Sequence, residues 1–97
     1  MQRISILLKE GRIKKNLLQR QVAAALDIDV AMLSRFERGE RLPSKEQLKK
    51  IASILNIDEK ELLKELAVEK ILIDIENEEN PNAILKAVQK EIKKRHI

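Results

Sequence analysis

The stretch QRQVAAALDIDVAMLSRFERG, Gln19 to Gly39, decides how this chain folds. Its first part, from about Gln19 to Leu26, sets Val22, Ala23 and Leu26 at helical spacing, so they share one face. The pattern stops at Asp27-Ile28-Asp29 and restarts at Val30. Asp29 stands where an N-cap belongs, because its short carboxylate accepts the orphan N–H groups of a first helical turn. Gly39 stands at the far end, where the chain leaves the helix through a positive φ. Ile28, Leu33 and Phe36 then face inward, and Val30, Ala31, Ser34, Arg35 and Arg38 face outward. The reading is of two short helices joined by a tight bend, the second with an outer face that starts uncharged and ends in arginines.

Composition bounds what can surround this unit. Ninety-seven residues suffice for one small domain, or one domain with an appendage. Phe36 is the single aromatic residue, so a core has to be built from Leu, Ile, Val and Ala. Two glycines and two prolines predict long helices with short links and give strands little support. With no cysteine, a disulfide framework and thiolate metal sites are excluded, and the one histidine, His96, lies at the tail. No metal or other cofactor is expected. No apolar run approaches the ~18 residues of a membrane span, and no secretory leader is legible, so a cytoplasmic protein is expected. The net charge of +4 is unevenly spread. Residues 1–57 hold twelve Lys/Arg against six Asp/Glu, residues 58–80 three against nine, and residues 81–97 five against one. A basic head, an acidic middle and a basic end suit a nucleic-acid-facing head with a tail used differently.

Around the central unit the periodicity predicts more helices. The first runs from about Gln2 to Lys15, with Ile4, Leu7, Leu8 and Ile13 as its apolar stripe and Gly11 at a close approach to a neighbour. Asn16 ends it, since Asn tolerates the left-handed conformation; Leu17 fills the core. Ser44 and Gln47 form a capping box ahead of Leu48, Ile51, Ala52 and Leu55, and Asp58 to Glu61 form another. The apolar pattern then continues through Leu62, Leu63, Leu66, Ile71, Leu72 and Ile75 to about Asn77, although KILIDIE, Lys70 to Glu76, alternates with period two and also reads as a strand. NEENPN is a turn, and a last helix from about Pro81 to Arg95 carries Ile84, Leu85, Val88 and Ile92.

Two helices meeting across a short turn, the second with exposed arginines, describe a helix-turn-helix. Gln19 at the start, small Ala23 at the crossing, Ile28 in the turn, and Leu33, Phe36, Glu37, Gly39 and the basic "RGER" segment at the close resemble the phage repressor and Cro (Xre-like) regulators over roughly Ile4 to Leu63. Two departures stand out: Leu18 replaces the usual polar N-cap, leaving an apolar contact as its use, and Asp27 replaces the usual turn glycine. The resemblance implies an all-α, five-helix, lambda-repressor-like DNA-binding domain at 1–66, with a C-terminal helical extension at 67–97. It also implies that Arg12 pairs with Glu37 and locks the first helix to the third.

On this reading Val30 and Ala31 meet thymine methyl groups, Ser34 gives an adaptable hydrogen bond and Arg35 makes a bidentate contact to guanine, with a plain phosphate contact as its alternative. Asp29, a carboxylate near that surface, is occupied as a cap. Gln19, Arg20, Arg38, Arg41, Ser44 and Lys45, with Lys14 and Lys15, contact phosphates of double-stranded DNA. The apolar surface beyond Leu66 exceeds what the head can cover, so a homodimer through the C-terminal helices, bound to an inverted repeat, is expected, the other solution being a tail folded back onto its own head. The resemblance implies that occupying the repeat regulates transcription, most often by repression. The alternative is an antitoxin of a toxin–antitoxin pair, or a restriction–modification controller, whose tail holds a protein partner such as a toxin. Catalysis is not expected: no nucleophile–base set, Gly-rich phosphate loop or HExxH pair is present.

Overall fold

The computed structural model describes residues 2–95; His96 lies outside them. Six helices follow one another: α1 (Arg3–Lys14), α2 (Gln19–Ala25), α3 (Val30–Glu37), α4 (Lys45–Leu55), α5 (Glu59–Ile75) and α6 (Pro81–Arg95). No strand occurs among the described residues. The fold is all-α, and its head is the five-helix arrangement that the resemblance implies.

Each helix ends for a local reason. After α1, α2 and α3 the chain enters the left-handed region at Asn16 (φ 57°), Asp27 (φ 57°) and Gly39 (φ 74°). In each case the next two amides turn back on the helix. Asn16 and Leu17 donate to the carbonyls of Ile13 and Arg12, Asp27 and Ile28 to Ala24 and Ala23, and Gly39 and Glu40 to Phe36 and Arg35. This is the paired Schellman pattern, which satisfies carbonyls the helix leaves open. Asn56 (φ 55°) ends α4 in the same conformation, and Ile57 donates to Ala52.

Starts are capped as locally. Asp29 accepts from the Met32 amide at 2.7 Å, and Ser44 and Gln47 exchange bonds at 3.1 and 2.8 Å. Leu18 has no side-chain cap to offer α2, but Gln21 Oε1 accepts from its amide at 2.8 Å. Asp58 accepts from Lys60 N at 3.1 Å and not from Glu61, so the box expected there is reduced to a single cap.

The core is aliphatic with Phe36 inside it. Ile4 and Leu8 of α1, Leu33 and Phe36 of α3, Leu48 and Ile51 of α4, and Leu62 and Leu66 of α5 are all at most 2% exposed. α1 is the hub, packed against α3, α4 and α5, while α2 leans on α3. A Cβ at Gly11 would stand 2.8 Å from Ile57 Cδ1 and 3.5 Å from Leu55 Cδ1, so the glycine does mark a close approach. Two expected apolar contacts fail. Ile13 is 53% exposed and Leu18 50%, because α1 turns its last apolar position away from the core and Leu18 sits on the outer edge of the α1–α2 link.

α5 passes through 66–67 without a break, and KILIDIE is helix rather than strand. A strand there would have left its ladder unpaired, whereas a helix satisfies its own backbone. Among the described residues Leu66 is the last buried one, while α5 runs on to Ile75. The remainder of α5 and α6 form an arm. The radius of gyration is 15.6 Å and the long dimension 45 Å, against a radius of about 12.5 Å for a compact chain of this length.

Candidate nucleic-acid interface

α3 has a buried back and an open front. Leu33, Phe36 and Glu37 are buried, and the residues at helical spacing on the opposite side, Ala31, Ser34, Arg35 and Arg38, form one outward face. Ala31, Arg35 and Arg38 are exposed, Ser34 is half-buried, and Val30 stands at the N-terminal edge, 43% exposed. The charge of Asp29 is engaged with the first turn of the same helix.

The back of α3 is fixed by ionic contacts. The Arg12 guanidinium grips Glu37 through two bonds, Nε to Oε2 at 2.6 Å and Nη2 to Oε1 at 3.0 Å. Its Nη1 donates to the Leu17 carbonyl at 2.9 Å. One side chain thus ties α1, the α1–α2 link and α3 together. Both charges are largely withdrawn from water, with side-chain exposures of 14% and 4%. The hydrogen bond to Glu37 raises the Arg12 pKa further above its ordinary value, against the opposing effect of burial.

Several residues named above as DNA contacts hold one another. Gln19 Nε2 donates to Glu37 Oε1 at 3.1 Å, so the amide that opens α2 is drawn into the buried pair. It retains Oε1 and one amide hydrogen for a ligand. Arg38 donates to Ser34 Oγ and, through Nε, to Glu40. Those contacts hold the Glu40 carboxyl below the usual carboxylate range, mainly through the Arg38 hydrogen bond, with the charges of Arg38 and Arg35 adding to it. Ser44 Oγ accepts from the Gln47 amide and the Ser44 amide donates to Gln47 Oε1, which leaves the Ser44 hydroxyl hydrogen and the amides of Lys45 and Glu46 at the start of α4. Arg20, Arg35, Arg41 and Lys45 are exposed and hold no ion pair among the described residues.

The Gln19–Glu37 bond and the Ser34–Arg38–Glu40 chain were not anticipated from the sequence. The second was within reach, since Ser34 and Arg38 are four apart on a helix and therefore neighbours. The first brings together residues from different helices and leaves no mark in the linear pattern.

Among the described residues no helix is long and apolar enough to cross a membrane. A family model described as "Helix-turn-helix" matches residues 8–62. The "ImmF control region 10 kDa protein" of Bacillus phage phi105 is 38% identical over 56 residues, which cover 58% of this chain and 62% of that protein. The match therefore spans less than two thirds of the phage protein's length. No solved structure matches the chain.

Proposed function

Because the chain belongs to the helix-turn-helix family, we propose that it is a sequence-specific DNA-binding regulator of transcription, a repressor that occupies an inverted-repeat operator as a homodimer. The observation that carries this reading is the outward face of α3. Val30, Ala31 and Arg35 are exposed on it and Ser34 is half-buried, while the opposite side of the helix is clamped to the core by Arg12. A helix held so rigidly along its back can enter a major groove without paying for ordering at that moment.

The roles divide by chemistry. Val30 and Ala31 suit thymine methyl groups, and Arg35 suits the paired acceptors of a guanine edge. Arg20, Arg41 and Lys45 suit phosphates, as does the second amide hydrogen of Gln19. Ser34 and Arg38 act as one unit: Ser34 retains its own hydroxyl hydrogen for a base or phosphate while its oxygen accepts from Arg38. The name of the phage protein, that of a control region, is in keeping with a regulatory role.

Selection of bound fragments from random DNA, followed by titration at several salt concentrations, tests the reading. The recovered site should be an inverted repeat with half-site centres about 34 Å apart. Affinity should fall steeply with salt, as counterion release requires. Weak binding that is flat with salt would remove the reading.

A further inference from the structure

The chain exposes more surface than a compact monomer of its mass. The accessible area is 7099 Å², about 1,400 Å² above the area a folded monomer of this mass exposes. A stable interface of standard size takes about 800 Å² from each partner, so the excess suffices for one. Much of the uncovered apolar surface is on the arm: Val68, Ile71, Leu72 and Ile73 of α5 and Leu85, Val88 and Ile92 of α6 are 40–53% exposed. α6 buries no residue. A helix of 15 residues that buries none of them is marginal in water, so α6 needs a cover.

Charge identifies that cover. Beyond Leu66, residues 67–80 hold five Asp/Glu against one Lys, and residues 81–95 hold five Lys/Arg against one Glu. Leu85 joins Val68, Ile71, Leu72 and Ile75 in one apolar groove at the junction, but the groove flanked by Ile84, Val88 and Ile92 is walled by α6 alone. Among the described residues, Lys86, Lys90 and Lys93 on α6 form no ion pair, and neither do Glu69, Asp74 or Glu76. One arm thus offers an apolar helix whose end and following link are acidic, and a basic apolar helix, each lacking the complement that the other supplies.

We propose that the arm docks a second copy of this chain by exchange, each copy's basic α6 lying along the outer half of the other copy's α5 and its acidic C-terminal end, with their apolar stripes between them. This inference rests on the dimeric reading above and specifies its surface. Twofold symmetry makes both contacts at once, because the same pair of faces is used twice.

Charge reversal on the full-length chain tests it. One variant carries Lys86→Glu, Lys90→Glu and Lys93→Glu; the other carries Glu69→Lys, Asp74→Lys and Glu76→Lys. Light scattering should give the wild type twice the 11.2 kDa chain mass and each variant alone the single mass. An equimolar mixture should recover the doubled mass, since both exchanged contacts are then of opposite sign. A monomeric wild type would overturn the proposal. So would a mixture that stays monomeric while circular dichroism shows both variants helical. An α5 variant that dimerises unaided would assign the contact to α6 against α6 and overturn it too. If the variants unfold, the wild-type mass and the effect of Val88→Asp on it still decide: an unchanged doubled mass for Val88→Asp refutes the arm as the surface. DNA titration of the same samples separates this from the regulator reading, because a doubled mass without DNA affinity removes the latter only.

Discussion

Glu37 is a carboxylate at 3% exposure in an aliphatic core, and it is tolerated because three donors from two side chains surround it. Taking away one partner strands the other's charge. Arg12→Ala should therefore destabilise the chain by about 3–5 kcal/mol, read as a lower urea midpoint. On the open face the expected losses concern DNA. Arg35→Ala should weaken binding to the selected site by ~1–3 kcal/mol and relax the preference at one base pair per half-site. An unchanged preference would take Arg35 off the list of base readers. Glu40 holds Arg38 and sets a negative charge beside it, at the end of the face proposed to meet DNA. Glu40→Gln should strengthen binding to all sequences alike and steepen the salt dependence by roughly one charge. The lowered pKa of Glu40 fixes the pH window. Its contact with Arg38 is intact above the ordinary value of 4.5 and is lost as pH falls through the lower folded-state value, so it does not titrate near neutrality.

Helix ends are the part of this molecule most plainly written in its sequence. Asp29, Ser44, Asp58 and Gly39 cap where their side chains, or the lack of one, predict. Asp27 occupies a left-handed turn at φ 57°, where a Cβ is a liability that a short polar side chain reduces. Asp27→Ala should cost about 1 kcal/mol while Asp27→Gly should not, a comparison that thermal or chemical unfolding can make. What the pattern left open is what packing alone decides. Period-two alternation and helical periodicity coexist in KILIDIE because Ile71, Ile73 and Ile75 have no buried neighbours to favour one face. The helix wins because it continues from Leu62 and Leu66, already seated in the core. Ile13 looked like core by spacing, yet at 53% exposure it lies past the point where α1 still faces α4 and α5. The outward face of α3 was legible, but the bonds among its members were not, since they depend on side-chain rotamers.

The whole molecule divides into a head whose helices bury one another and an arm whose helices do not. Hydrogen exchange on the full chain should show that difference. Amides of α1, α4 and the first half of α5 should be protected at any protein concentration. Those of α6 should gain protection as concentration rises, if a second copy covers them. Protection of α6 that does not vary with concentration would mean that the chain covers its own arm.

The unbroken passage of α5 from core to arm also has a mechanical meaning. With no hinge between Leu66 and Ile75, the helix is a crankshaft: whatever seizes the arm sets the azimuth of the head. One alanine inserted after Val68 would turn everything beyond it by about 100° and advance it by ~1.5 Å. Two heads coupled through such shafts would then meet the duplex out of phase with the natural half-sites. The insertion should change the half-site spacing that the protein selects, and not simply how tightly it binds.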